Sequence, residues 1–198
     1  MKEFKKTLKV LALVILGYLM QVCAMPKLAV LDVTGNLLFA VLAVITVSYG
    51  KKYAFCASCI AGICMECMLS NVQALYALAY PIVTMLSAQA FADMSERKRE
   101  RLRSQNRGKK HYRDTDLPTH LRILLCSAMM DLIMHIVLCA YMYLIGVDLS
   151  WLHMARALLS TVYTVFAALV IMVPVRMFLG MYERKKKDRK VREGGRFF

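Results

Sequence analysis

Apolar residues along the chain fall into six long runs that are separated by short polar or basic stretches. The runs cover about residues 8–23, 28–49, 53–69, 74–91, 121–145 and 152–182. Most of them come close to the ~20 residues that a helix needs to cross the hydrocarbon core of a bilayer. The pattern therefore predicts an all-α polytopic membrane protein, with six transmembrane helices forming one domain over residues 1–182.

The first run resembles a secretory signal peptide because several lysines precede it. Its end, Val22-Cys23-Ala24-Met25-Pro26, is a poor cleavage site, and a second apolar run starts directly afterwards at Leu28. We therefore interpret residues 8–23 as an uncleaved first helix.

Two prolines lie inside predicted spans. Pro81 falls in the fourth run and Pro174 in the sixth, and each is expected to kink its helix because proline cannot donate the backbone hydrogen bond. The sixth run is also longer than a bilayer requires, which predicts tilting, kinking or extension beyond the membrane.

Basic residues are distributed unevenly between the two sides that six spans would define. One side holds Lys2, Lys5, Lys6 and Lys9 at the start of the chain, Lys51 and Lys52, ten residues between Arg97 and Arg122, and eight in the tail from Arg184. The other side holds only Lys27 and Arg156. Because cytoplasmic loops carry the excess of Lys and Arg, both termini are predicted to be cytoplasmic.

Composition supports this class of protein and excludes others. The chain is 59% hydrophobic with a mean hydropathy of +0.50, which excludes a soluble, collagenous or disordered protein. The net charge of +14 is therefore expected on loops and tails at a membrane surface, and we predict no nucleic-acid partner. The basic loop 93–120 and the basic tail 183–198 are predicted to meet anionic lipid headgroups or to dock a cytosolic partner.

Ionisable residues inside spans are costly in hydrocarbon and are therefore functional candidates. Asp131 lies near the middle of the fifth run, and His135 lies one helical turn further on the same face. The pair is expected to hold its helix inside the bundle by hydrogen bonding, and a proton relay, a metal ligand pair or a partner contact are the alternatives.

A second polar group is predicted at the outer ends of the spans. Asp32, Glu66 and Arg156 fall near the outer ends of the second, third and sixth runs, where they could meet. Such a cluster indicates either solvation at the level of the lipid headgroups or a recognition site.

The third run combines cysteines with small residues. Its Cys56-x-x-Cys59 and Cys64-x-x-Cys67 pairs imitate a metal or redox signature, but one straight helix cannot wrap four thiolates around an ion. Ser58-x-x-x-Gly62 instead favours the close approach of another helix. No nucleotide-binding, zinc-protease or hydrolase motif is present, so we predict no metal, no cofactor and no enzymatic activity.

Several motifs together resemble one membrane family. Pro26 precedes the second run, Gly62-Ile63-Cys64-Met65-Glu66 closes the third, and a Leu- and Tyr-rich fourth run follows a polar turn. With the last run, which passes through Pro174 to a basic segment, these features resemble the rod shape-determining protein MreD family. The chain departs from that family in having Glu66 where Asp is usual and in its long basic loop.

The resemblance implies a location in the inner membrane of a bacterium and a fold similar to the substrate-capture subunits of energy-coupling-factor transporters. It leaves two functions open. The first is a non-enzymatic scaffold of cell-wall elongation that binds the bitopic protein MreC and supports the RodA glycosyltransferase with its transpeptidase. The second is a substrate-binding subunit of a vitamin transporter. A scaffold needs an exposed helix face, for which the Ser58–Gly62 strip is the candidate. A thiol-redox enzyme rests on the cysteine pairs alone.

Overall fold

A computed structural model describes residues 2–29, 33–68, 74–91, 117–147 and 150–181. Within these ranges the secondary structure is helical, as the sequence predicts. The described residues form six α-helices, which we number in chain order and list here with their bounds: α1 Lys2–Cys23, α2 Leu37–Tyr49, α3 Lys51–Met68, α4 Leu75–Phe91, α5 Thr119–Leu144 and α6 Trp151–Phe178.

Three of the helices are long and apolar enough to cross a membrane. They cover Phe4–Cys23 of α1 and the whole of α5 and α6. Two others, α2 and α4, are apolar but shorter, with 13 and 17 residues. The Lys9 ammonium donates to the backbone carbonyl of Phe178 at 2.9 Å, so α1 begins and α6 ends at the same end of the bundle. We call this the terminal end, and the other the distal end.

Helix α2 is the centre of the molecule. All of its residues from Leu37 to Ser48 are buried, and it contacts each of the other five helices. At 1.5 Å per residue its 13 residues span only about 20 Å, which is shorter than a bilayer core of about 30 Å. A helix that is apolar all round is one buried on every side, and α2 fits that description.

Helix α2 covers only the later part of the second predicted span, residues 28–49. The apolar run begins at Leu28, but a 3-10 turn occupies Met25–Leu28 and α2 does not begin until Leu37. The reason lies in Gly35 and Asn36. A Cβ on Gly35 would lie 2.5 Å from Tyr163 Cδ1 and 3.1 Å from the Thr164 nitrogen, and the Asn36 side chain caps α2 by accepting from Phe39 N at 3.3 Å.

Other predicted bounds agree more closely. The sixth run is one helix that passes through Pro174 and ends at Phe178, four residues before the predicted end. Helix α4 likewise continues through Pro81. The predicted kinks at these two prolines stay predictions. The tail 183–198, and all but the last four residues of the loop 93–120, lie outside the described residues.

Candidate functional site

A polar junction surrounds the non-helical segment that leads into α2. Its backbone and Asn36 are bonded by side chains from three helices. From α1, Gln21 Oε1 accepts from Leu37 N at 2.6 Å and Gln21 Nε2 donates to Gly35 O at 3.3 Å. From α4, the Tyr80 hydroxyl accepts from Asn36 Nδ2 at 3.2 Å. From α6, Thr164 Oγ1 accepts from Asn36 N at 2.7 Å, Ser160 Oγ donates to Thr34 O at 3.1 Å and the Tyr163 hydroxyl donates to Leu28 O at 2.8 Å.

These bonds explain how an interrupted helix can sit inside the bundle. Away from water, non-helical backbone is tolerated only where protein groups satisfy its N–H and C=O groups. Tyr80 is fully buried and also stacks on Phe39, with ring centroids 4.6 Å apart, which fixes its hydroxyl toward Asn36. Gln21, Tyr80 and Thr164 are thus positioning residues that the sequence analysis missed. The Gly35-Asn36 pair, a turn and cap signal inside an apolar run, could have indicated the site.

The α3–α4 junction uses the small residues of α3. Ala54, Ala57, Ser58, Ala61 and Gly62 are all buried. A Cβ on Gly62 would lie 2.7 Å from the Tyr76 carbonyl oxygen and 3.1 Å from Ala77 Cα, so the backbones of α3 and α4 meet there. The close approach at Ser58-x-x-x-Gly62 is therefore real, but the proposed use of that strip as an exposed docking face was wrong, because α4 already covers it.

Glu66, one helical turn beyond Gly62, serves the same junction. One carboxylate oxygen accepts from Ala74 N at 2.8 Å, and the other accepts from Tyr76 N at 2.8 Å and Ala77 N at 3.3 Å. These N–H groups are the orphan donors of the first turn of α4, and a negative charge there is favoured by the helix dipole. The Gly-x-x-x-Glu motif is thus a helix-docking device.

The predicted outer cluster of Asp32, Glu66 and Arg156 is not assembled by the described residues. The Glu66 carboxylate is occupied by the backbone of α4, and Asp32 lies outside the described residues. Arg156 is exposed near the start of α6, where it lines a cavity with other residues.

Asp131 and His135 lie together on α5. Asp131 Oδ2 is 3.4 Å from His135 Nε2, and the exposed fractions of the two side chains are 3% and 27%. Among the described residues neither of these two atoms has a hydrogen-bond partner, so the pair is close but not hydrogen bonded in this geometry. Asp131 faces the interior, whereas His135 reaches the surface between α5 and α6.

At the distal half of the bundle, His135 borders a polar cavity of about 270 Å³. The cavity lies between α5, α6 and the non-helical segment before α2. Its wall is built from these residues: Val33, Thr34, His135, Leu138, Cys139, Met142, His153, Arg156, Ala157 and Ser160. Two imidazoles and a guanidinium converge here, and no described lining residue is acidic.

On the other side of His135, a wider groove of about 510 Å³ runs between α5 and α6. Its lining is apolar apart from His135 and Thr161, and it includes Trp151, Met154, Leu158 and the small residue Ala155. His135, Cys139 and Ala157 line both spaces. The longest pair of helices therefore leaves an open lateral surface, whereas the α3–α4 pair leaves none at Gly62.

The cysteines of α3 lie on its less buried side. Cys56 and Cys67 are exposed, Cys59 and Cys64 are half-buried, and all four thiols are free. Nowhere in the described ranges do three or more His, Cys, Asp or Glu side chains come together as metal ligands would.

Comparisons with known proteins add no relative: no protein-family model, curated protein or solved structure matches this chain. The arrangement of the described residues alone indicates what the site can do. It offers an apolar groove for a helix or a lipid chain, and beside it a small cavity whose donors suit an anion.

Proposed function

We propose that the chain is a multi-pass protein of the bacterial inner membrane, with six spans and both termini in the cytoplasm. The three long apolar helices and the two shorter ones support a membrane location. The Lys9–Phe178 contact places both ends of the helical body together, which agrees with an even number of crossings. The basic residues are concentrated on the side of the termini.

Reporter fusions test this topology. A reporter that is active only outside the cell should be silent when fused at Asn106 or at the C-terminus, and active when fused between α3 and α4 or between α5 and α6. External activity at Asn106 would contradict the topology.

We further propose that the protein is a non-enzymatic scaffold of the MreD kind in the cell-wall elongation machinery. The observation that carries this proposal is the α5–α6 groove, an apolar lateral surface about two to three helical turns long, from Leu132 to Cys139 and from Trp151 to Thr161. In lipid, helices associate through van der Waals fit and small residues at the contact, and the groove supplies Ala155, Ala157 and Cys139 beside larger side chains.

The partner that such a groove fits is a single transmembrane helix, as in a bitopic MreC-like protein. The groove is open along the membrane plane, so a lone helix can pack into it from the side. Through that partner the scaffold would support RodA and its transpeptidase. The basic loop and tail would add contacts with anionic lipid headgroups on the cytoplasmic side.

Co-purification of the full chain with the MreC-like protein of the same cell tests the proposal. Ala155→Trp fills the groove and should abolish recovery of the partner, since bulk defeats close packing. Leu86→Trp is the matched control, because Leu86 is an exposed side chain of α4 that does not line the groove. Equal recovery with both variants would contradict docking at the groove.

Substrate capture is a second candidate, and the polar cavity is the observation that favours it. Capture subunits need a concave site with convergent polar groups. At about 270 Å³ the cavity lies just below the range of roughly 300–1,000 Å³ that is usual for drug-sized ligands. Recovery of a stoichiometric vitamin-sized molecule with the purified chain, and of no bitopic partner, would establish this function instead.

A further inference from the structure

The polar cavity beside His135 is lined by the cation Arg156, which lies on the outer side of the membrane in the proposed topology, where Lys and Arg are usually rare. In the proposed topology, Arg156 and Lys27 are the only basic residues on the outer side. The positive-inside rule depletes that side of Lys and Arg, so a retained arginine calls for a local partner. Lys27 lines no described cavity, whereas Arg156 lines the polar one.

The outer part of the cavity lies at the distal end of the bundle, because its lining residues Met142 and His153 are each two residues from the distal end of their helix. Trp151 and Tyr143 at the distal end are 81% and 72% exposed, and such aromatic side chains mark the membrane interface. Arg156 follows Trp151 by five residues, about 7.5 Å along α6, so its side chain can reach an anion at or just below that interface.

The other polar groups of the cavity are arranged as donors. His153 Nδ1 accepts from Ser150 N at 3.3 Å, so in the neutral ring the proton resides on Nε2, which is left to donate elsewhere. The guanidinium of Arg156 adds a planar fork of donors that suits oxyanions. Ser160 Oγ donates to Thr34 O and so shapes the wall between α6 and the segment before α2.

Asp131 is next to His135 but does not line the cavity. Its Oδ2 lies 3.4 Å from His135 Nε2 without a hydrogen bond between them, and its side chain is 3% exposed. The charge that faces the cavity directly is that of Arg156.

We propose that this cavity binds a phosphate-type oxyanion, held chiefly by Arg156 with His153 and His135 beside it. The headgroup of an anionic phospholipid and free inorganic phosphate share this chemistry. A volume of about 270 Å³ suits an anion of that size. The proposal is independent of the scaffold function, because it concerns the cavity and not the apolar groove.

Native mass spectrometry of the full chain in a neutral maltoside detergent tests the proposal. The probes are dioleoyl phosphatidylglycerol, dioleoylglycerol, which has the same chains but no phosphate, and inorganic phosphate. We expect one phosphatidylglycerol to be retained, and Arg156→Gln to weaken its binding by about tenfold, as the loss of a charge-assisted contact predicts. Arg156→Lys should keep part of the affinity because it keeps the charge.

Lys27→Gln is the matched control, since it removes the other outer cation without touching the cavity, and its binding should stay within about twofold of the parent. Arg156-dependent binding of inorganic phosphate alone would support the site and identify a free ion as its ligand. Equal retention of dioleoylglycerol, or unchanged binding by Arg156→Gln, would overturn the proposal. So would loss of the MreC-like partner in Arg156→Gln without any change for either phosphate probe, which would assign the cavity to an acidic side chain of that partner.

Discussion

The helix pairs α3–α4 and α5–α6 differ in how closely their helices pack. At Gly62 the backbones of α3 and α4 touch, and Glu66 ties the first turn of α4 to α3. Between α5 and α6, which are the longest helices, two open spaces share a wall. Close packing at Gly62 and the bonds of Glu66 thus hold one pair together, whereas incomplete packing leaves space for ligands or partners at the other.

Replacing Gly62 by leucine should produce the largest effect, because it attacks the tight pair at its closest point. A side chain there meets backbone, which cannot move aside, so we expect a loss of at least about 3 kcal/mol, at the upper end of overpacking costs. Thermal unfolding in detergent, monitored by size-exclusion chromatography, measures this loss of stability.

The matched pair Gly62→Ala and Gly17→Ala isolates the cause. A Cβ on Gly17 would meet the Val41 and Leu38 side chains at 3.2 and 3.5 Å, and side chains can adjust. Gly62→Ala should therefore unfold at a clearly lower temperature than Gly17→Ala. Equal melting temperatures would show that the α3–α4 contact is looser than the distances indicate.

Glu66→Ala tests the polar half of the same junction. The change leaves three backbone N–H groups at the start of α4 without their acceptor, and we expect a loss of about 2 kcal/mol, near the upper value for a helix cap. Glu66→Asp should recover part of the loss if the shorter carboxylate reaches one N–H. Full stability of Glu66→Ala would contradict the capping role.

Substitutions of Asp131 test a buried polar side chain of α5, which is one helix of the open pair. Because its Oδ2 has no hydrogen-bond partner among the described residues, Asp131→Asn should change stability by less than about 0.6 kcal/mol, and Asp131→Leu by about 1 kcal/mol. Complete loss of function in both variants at normal protein levels would favour proton chemistry. A complementation assay for cell shape, run beside the melting measurement, distinguishes the two cases.

Cys59→Ser and Cys67→Ser should have the smallest effects. Both thiols are free, with Cys59 half-buried and Cys67 exposed on α3. We expect changes below about 0.5 kcal/mol, as is usual for substitutions away from packed or bonded sites. Loss of partner binding or of function in either variant would revive the thiol-redox alternative.

The sequence predicted the helices well where local pattern decides them. The lengths of α5 and α6, the close approach at Gly62 and the proximity of Asp131 to His135 all follow from apolar runs and helical spacing, although the predicted hydrogen bond between Asp131 and His135 is not formed. The late start of α2 was missed because its cause is not local. Val33 to Asn36 form a non-helical segment before α2: side chains from α1 and α6 bond its backbone, and Tyr80 of α4 bonds the Asn36 side chain. A count of apolar residues does not detect those bonds.

The sequence predicted several residues of the candidate site but not which of them share a cavity. His135 and Arg156 were each chosen for their charge in an apolar environment, yet they were assigned to different clusters. In the structure His135 and Arg156 both line one cavity, and the Glu66 carboxylate accepts hydrogen bonds at the start of α4. Which residues share a cavity depends on how α5 crosses α6, and helical spacing within one helix does not contain that information.

The interrupted entry into α2 also has a consequence for biosynthesis. Its backbone is bonded by Gln21, which is made before it, and by Thr164, which is made 128 residues after Asn36, while the Asn36 side chain is bonded by Tyr80. Until α6 has emerged from the ribosome and entered the membrane, the start of the central helix lacks the bond from Asn36 N to Thr164. The middle of the molecule is therefore completed last, and a nascent chain cut short before α6 is a natural substrate for membrane quality control.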